Sequence, residues 1–200
     1  MAPAIGRRGE YAKSAGRRRD ILEAAVEVFS ESGFRAGSLR DVASRVDLTL
    51  AGLLHHFPTK NALLEAALEW RDAEAAAELG DPAPHGVDML RALVSLVQRN
   101  VDGRELASLH TTLSGEAANK EHPAHTYFIA RYRHVVAIAH AAFVQAAEDG
   151  HLRDSVDPGA AARNLIALMD GLQIQWLLDD TVDMAADVRS FLQPLLTVDV

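Results

Sequence analysis

The stretch SLRDVASRVDLTLAGLLHHFPTK, Ser38 to Lys60, decides how this chain is read. It holds two short apolar-periodic segments joined by a turn of about three residues. In the first, Leu39, Val42, Ala43 and Val46 share one helical face. Ser38 can cap it, and Asp41 three residues on approximates a capping box. In the second, Thr49 can cap a helix carrying Leu50, Leu53, Leu54 and Phe57. Pro58 ends that helix, because the residue before a proline avoids helical geometry. The adjacent histidines His55 and His56 close it, and the spacing leaves open whether they meet a metal, a substrate or a phosphate.

Working outward, RRRDILEAAVEVFSESG places Ile21, Ala25, Val28 and Phe29 on one face, with Gly33 as a C-terminal cap. Thr59 caps a long fourth helix that stops at the breaker cluster Gly80 to Gly86, the expected domain boundary. Further helices follow: two split at Asp102-Gly103, a long one opened by Pro123 and closed by Gly150, one started by Asp157-Pro158, and a last one with Met184, Val188, Phe191, Leu192 and Leu195 on a stripe. No segment alternates like a strand. The expectation is an all-α chain of about nine helices. Residues 1–14 are read as a disordered basic tail and 15–60 as a helix-turn-helix domain, with the motif at about 38–57. Residues 61–80 are a connecting helix, and 81–200 a ligand-binding and dimerisation domain.

Bulk properties narrow the function. The 200 residues carry a net charge of −8 and no cysteine, which excludes disulfides, thiolate metal sites and a cysteine nucleophile. Residues 1–60 hold ten Lys or Arg against seven Asp or Glu, a net +3, while the remainder carries −11. A basic end on an acidic body points to a polyanion partner for the first part alone. No apolar run approaches a membrane span, and the N-terminus lacks a signal-peptide core, so a cytoplasmic location is expected.

Short helix pairs with a tight turn form the helix-turn-helix, whose second helix enters the major groove. The segment TLAG at the start of that helix has no carboxylate to repel DNA. Basic residues, Arg17 and Arg18 among them, run straight into the first helix. Lys60 lies in the first turn of the fourth helix, where exposed N–H groups also attract phosphate. Enzymatic rivals lack a nucleophile motif, a Gly-rich phosphate loop and a metal triad. In HPAH, His122 and His125 stand three apart, a spacing compatible with a shared metal, but no third ligand is evident and capping is the plainer role. No cofactor and no metal are expected.

The run from Arg17 to Leu68 resembles the TetR family of transcriptional regulators without a gap. The resemblance rests on Phe29, the Gly33-Phe34 pair, the Ser38 cap, Asp41-Val42-Ala43, and His56-Phe57 with Lys60 three residues on. The segments HPAHTYFIARYRH and GHLRDSVDPGAAARNLIALMDGLQIQWLL are similar to the C-terminal domain of a BetI-like branch. The resemblance implies phosphate contacts from Arg40, His55, His56 and Lys60, aided by Ser38 and Thr49. It implies that Thr49, Leu50, Ala51 and Gly52 face base edges, although Leu50 is equally readable as core. Two departures stand out: Asp47 where the family's turn usually has glycine, and Leu54 where it usually has a tyrosine that touches DNA. Leu54 can pack inward or meet a thymine methyl.

In the body, His110, Thr111, Thr112, Tyr127, Arg131, His134, Gln173 and Trp176 are polar or amphipathic groups on apolar helices. They line a small-molecule pocket or bond one helix to another. The last two long helices are apolar on several sides, so Leu165, Met169, Leu172, Trp176, Val188, Phe191, Leu192 and Leu195 are the expected dimer interface. The expected function is a homodimeric DNA-binding regulator, a repressor released from a palindromic operator by a small-molecule effector. The expected partners are that operator, a second copy and the effector, with the protein on the bacterial nucleoid when DNA-bound. Rival readings are an activator of the same fold and a dimeric small-molecule-binding protein that does not bind DNA.

Overall fold

The computed structural model describes residues 6–80, 82–99, 101 and 103–200, with the side chains of 6–15 and 78 outside the description. Among the described residues there are nine α-helices and no strand. They are α1 (Gly6–Ala36), α2 (Leu39–Arg45), α3 (Leu50–His56), α4 (Lys60–Leu79), α5 (Gly86–Arg99), α6 (Arg104–Glu116), α7 (His125–Glu148), α8 (Pro158–Leu178) and α9 (Met184–Leu192), with a 3-10 turn at Gln193–Leu195. The chain divides into two compact units, Met1–Arg71 and Asp72–Val200. The division falls inside α4 and not at the Gly80–Gly86 cluster, which only ends α4 and starts α5.

In the first unit α1 buries Ile21, Ala25, Val28 and Phe29, the face its periodicity predicts. Among the described residues the backbone is helical from Gly6, so residues 6–14 of the segment expected as a tail fall within α1. The segment has no proline and is rich in helix-compatible Arg, Lys, Glu and Ala. Residues 1–5 of that expected tail lie outside the described residues. Gly33 adopts φ 70 and ψ 169, a conformation that breaks the helix and that side chains disfavour. Gly37 is needed for space: a Cβ there would lie 2.9 Å from Phe29 Cδ1 and 3.0 Å from Gly33 O. Phe34 then folds back edge-on to Phe29, with centroids 5.7 Å apart. Arg45 ties α2 to α1 through Glu27 (2.7 Å) and Glu31 (2.6 Å).

In the second unit α8 packs on α6, α7 and α9, and α5 packs on α7 and α9. Phe143, Leu90, Leu165, Val188 and Leu192 fill the space between them. Asp157 caps α8 through Oδ1 to Ala160 N–H at 2.6 Å, with Pro158 at the first turn as expected. Gly150, at φ 74, closes α7. The helix expected from Pro123 begins instead at His125, because His122 Nδ1 accepts the Ala124 N–H at 3.2 Å and holds a turn there. Asp102, half of the expected split between α5 and α6, lies outside the described residues.

Five of the eight residues expected at a dimer interface are buried within this chain. Leu165, Leu172, Trp176, Val188 and Leu192 are all buried in their own protomer, and Met169, Phe191 and Leu195 are half-buried. A helix apolar on several sides must bury several sides, but α8 meets that requirement with three neighbours from its own chain. The apolar face left over is a different one. Ile174 is 47% and Leu178 84% exposed, in line with exposed Ala160, Asn164 and Ala167 and half-buried Gly171.

Candidate nucleic-acid interface

The α2–α3 pair is built by its caps. Ser38 Oγ accepts the Arg40 N–H at 3.1 Å, and Thr49 Oγ1 accepts the Gly52 N–H at 3.1 Å. Between the helices Asp47 sits at φ 52, in the left-handed region. The residue that departs from the expected glycine therefore occupies the backbone position that favours one. Aspartate tolerates that region better than most side chains, which is why the turn survives the change.

On α3, Leu53 and the following Phe57 are buried. Thr49, Ala51 and His55 are exposed, while Leu50, Gly52, Leu54 and His56 are half-buried. Leu53 is core, as read from the sequence. Leu50, which was equally readable as core or as contact, lies at the margin between the two. Neither α3 nor its cap carries a carboxylate.

The cations hold positions the sequence did not reveal. Arg17 Nη1 donates to Val46 O, the C-cap of α2, at 3.0 Å. Arg18 Nη1 reaches His56 O, at the last residue of α3, at 3.5 Å, and its guanidinium lies 4.3 Å from the Phe57 ring centroid. Lys60 Nζ donates to Arg35 O near the end of α1 at 3.2 Å, and stands 4.5 Å from the Phe34 ring. Each of the three helices thus has a positive side chain on a terminal carbonyl, where the unpaired acceptors and the helix dipole favour it. Arg40 is exposed and has no ion pair among the described residues. A spacing rule cannot show this clustering, because the partners lie 25 to 38 residues apart in sequence.

Of the candidate ligand residues of the second unit, Gln173 and Thr111 bond each other, and most of the others are held by neighbours outside that set. Gln173, buried, donates to Ala107 O at 3.1 Å and Thr111 Oγ1 at 2.9 Å, binding α8 to α6. Tyr127 hydrogen-bonds Asp72, and Arg131 forms an ion pair with it. His110 is buried, its ring 5.5 Å from Phe128. Trp176 is core, with the Arg104 guanidinium 4.8 Å from its ring. His134 is exposed.

A groove of about 740 Å³ runs between α7 and α8, and none of the candidate ligand residues lines it. Its polar lining is Tyr132, Arg133, His140, Arg163 and Asp170. Tyr132 donates to Asp170 at 2.7 Å. Burial, then that hydrogen bond, raises the Tyr132 pKa well above its ordinary value. The signal for Asp170 was available: it is the lone acid in the apolar run NLIALMDGLQIQWLL. His122 is buried with Nε2 3.2 Å from Glu116 Oε2, and His125 Nδ1 lies 2.7 Å from Ala117 O. Among the described residues no three His, Asp or Glu converge on a metal position.

The model of TetR-family bacterial regulatory proteins matches residues 21–67, and that of BetI-type transcriptional repressor C-terminal domains matches residues 87–197. The chain belongs to the TetR family. That family is one of transcriptional regulators, not enzymes. The transcriptional regulator UidR of Escherichia coli K12 is 35% identical over 92 residues, 44% of this chain and 47% of that protein. The match therefore spans about half the length of such curated relatives. A solved structure of a TetR-family regulator from Rhodococcus superposes with a TM-score of 0.75 at 26% identity, over 91% of this chain and all of that one. A second, described as the molecular basis for control of antibiotic production by bacterial hormones, gives 0.63 at 28%, over 88% and 92%. No helix among the described residues is long and apolar enough to cross a membrane.

Proposed function

We propose that this TetR-family chain is a homodimeric repressor that grips a palindromic operator with α3 and releases it when a small molecule binds the second unit. The observation that carries the reading is the α2–α3 pair: a carboxylate-free α3 with Thr49, Ala51 and His55 exposed, Arg18 on its last carbonyl, and exposed Arg40 on α2. Exposed cations such as Arg18 and Arg40 supply the non-specific phosphate attraction on which base reading is built.

The second copy reads the other half-site, since two dyad-related helices read a palindrome with half-sites about one helical turn apart. The partner's seat is the outward stripe of α8, where Ile174 and Leu178 lie exposed among small residues. The solved neighbour concerned with bacterial hormones supports a small-molecule effector. Coupling runs through α4, which is unbroken from Lys60 to Leu79 and carries Asp72, held by Tyr127 and Arg131 of α7. An effector that shifts α7 acts on α4, and releases DNA only if it binds the off-DNA state more tightly.

The test is selection of bound duplexes from a random pool, followed by mobility shifts at two salt concentrations. A two-fold symmetric consensus with steep salt dependence is expected. Equal binding to every sequence overturns the reading.

A further inference from the structure

The α3 surface is short of the groups that usually read bases by hydrogen bonds. Bidentate readout uses Arg or Lys on guanine, Asn or Gln on adenine, and Asp or Glu on cytosine. From Thr49 to Phe57 there is none of these. Leu50, Ala51, Leu54 and His55 make one continuous strip along the helix, Ala51 and His55 exposed and the two leucines half-buried. Thr49 Oγ1 is already the acceptor for Gly52 N–H. His56, on the other flank, gives its carbonyl to Arg18. His55 is thus the one hydrogen-bonding ring on the strip.

Leu50 and Leu54 each keep a minor part of their surface in water in the unbound protein, and covering it is favourable against an apolar partner. In the major groove that partner is specific: the C5-methyl of thymine. We propose that α3 reads its half-site mainly through thymine methyl groups, with Leu50, Ala51 and Leu54 as the specificity-determining residues. This rests on the DNA-binding reading above and adds what the site recognises. Discrimination of T·A from C·G then comes from a methyl contact, and a cytosine that carries a 5-methyl group imitates thymine in part.

The experiment uses the full chain and its selected operator, with deoxyuridine replacing thymine one position at a time. Deoxyuridine lacks only the methyl. At one or two positions per half-site, affinity should fall about fourfold each, the value of one buried methyl. At the same positions, 5-methylcytosine should restore part of the binding lost on changing T·A to C·G. Leu54→Ala should bind the thymine and deoxyuridine operators equally at its position. Equal affinity for the parent and every deoxyuridine operator overturns the proposal, whether or not any variant folds. A selection that returns no preferred sequence overturns the DNA-binding reading itself and takes this assignment with it.

Discussion

The Lys60 ammonium sits 3.2 Å from the Arg35 carbonyl oxygen and 4.5 Å from the Phe34 ring. One residue thereby closes the end of α1 from the start of α4. Lys60→Ala should lower the stability of the first unit by about 1 kcal/mol through the lost cation–π and capping contacts. If Lys60 also meets a phosphate, the salt slope of DNA binding flattens by about 1, with all sequences weakened alike. Urea denaturation and a salt titration of binding separate the two effects. An unchanged slope beside lowered stability assigns Lys60 to the fold alone.

Asp47 holds φ 52 in the turn between α2 and α3. Asp47→Gly should relieve the left-handed backbone cost and stabilise the protein by up to about 1 kcal/mol, whereas Asp47→Val should destabilise it. Denaturant midpoints of the two variants should move in opposite directions.

Gly52 has room for a side chain in the unbound protein: a Cβ would meet Thr49 Oγ1 at 3.4 Å and Leu48 Cδ2 at 3.6 Å, ordinary contacts. Gly52→Ala should therefore stabilise α3 by about 0.5–1 kcal/mol. If the bare backbone is there to let DNA approach, the same variant loses operator affinity by about tenfold. Greater stability with unchanged affinity would mean that DNA does not approach that surface closely.

Tyr132 is an acid whose neutral form the fold favours, through burial and its hydrogen bond to Asp170. Below about pH 10, the unfolded-chain value, both states keep the proton and the contribution is intact. Above it the unfolded chain releases a proton that the folded one retains, so stability falls as the pH rises through the folded-state pKa. Tyr132→Phe should cost about 1 kcal/mol at neutral pH and flatten the alkaline decline. Denaturation across the alkaline range reads both.

Ile174 and Leu165 occupy the same helix and differ in exposure, 47% against 0%. Ile174→Asp should yield a monomer in sedimentation while the protomer stays folded. Leu165→Ala should destabilise by about 2–5 kcal/mol through a core cavity. A dimer that persists in Ile174→Asp places the interface elsewhere.

Much of the fold was legible because its signals are local. Ser38, Thr49, Asp157 and Pro158 mark helix starts by their own hydrogen bonds or ring, and the buried faces of α1 and α3 repeat at helical spacing. The candidate site was legible as residue types in order: a carboxylate-free short helix, a histidine pair and nearby cations. Their duties were not. Arg17, Arg18 and Lys60 look like phosphate ligands in a linear reading, and the structure shows each also capping a helix distant in sequence.

The sequence by itself determined the all-α architecture, the α2–α3 motif and the family, because caps, breakers and periodicity act within a few residues. Only the tertiary structure decided which apolar face of α8 is left over, and which polar groups of α6, α7 and α8 satisfy one another. Periodicity shows that a helix must bury several faces. It cannot show how many neighbours its own chain provides, and that number leaves Ile174 and Leu178 outside while Leu165 and Trp176 go in.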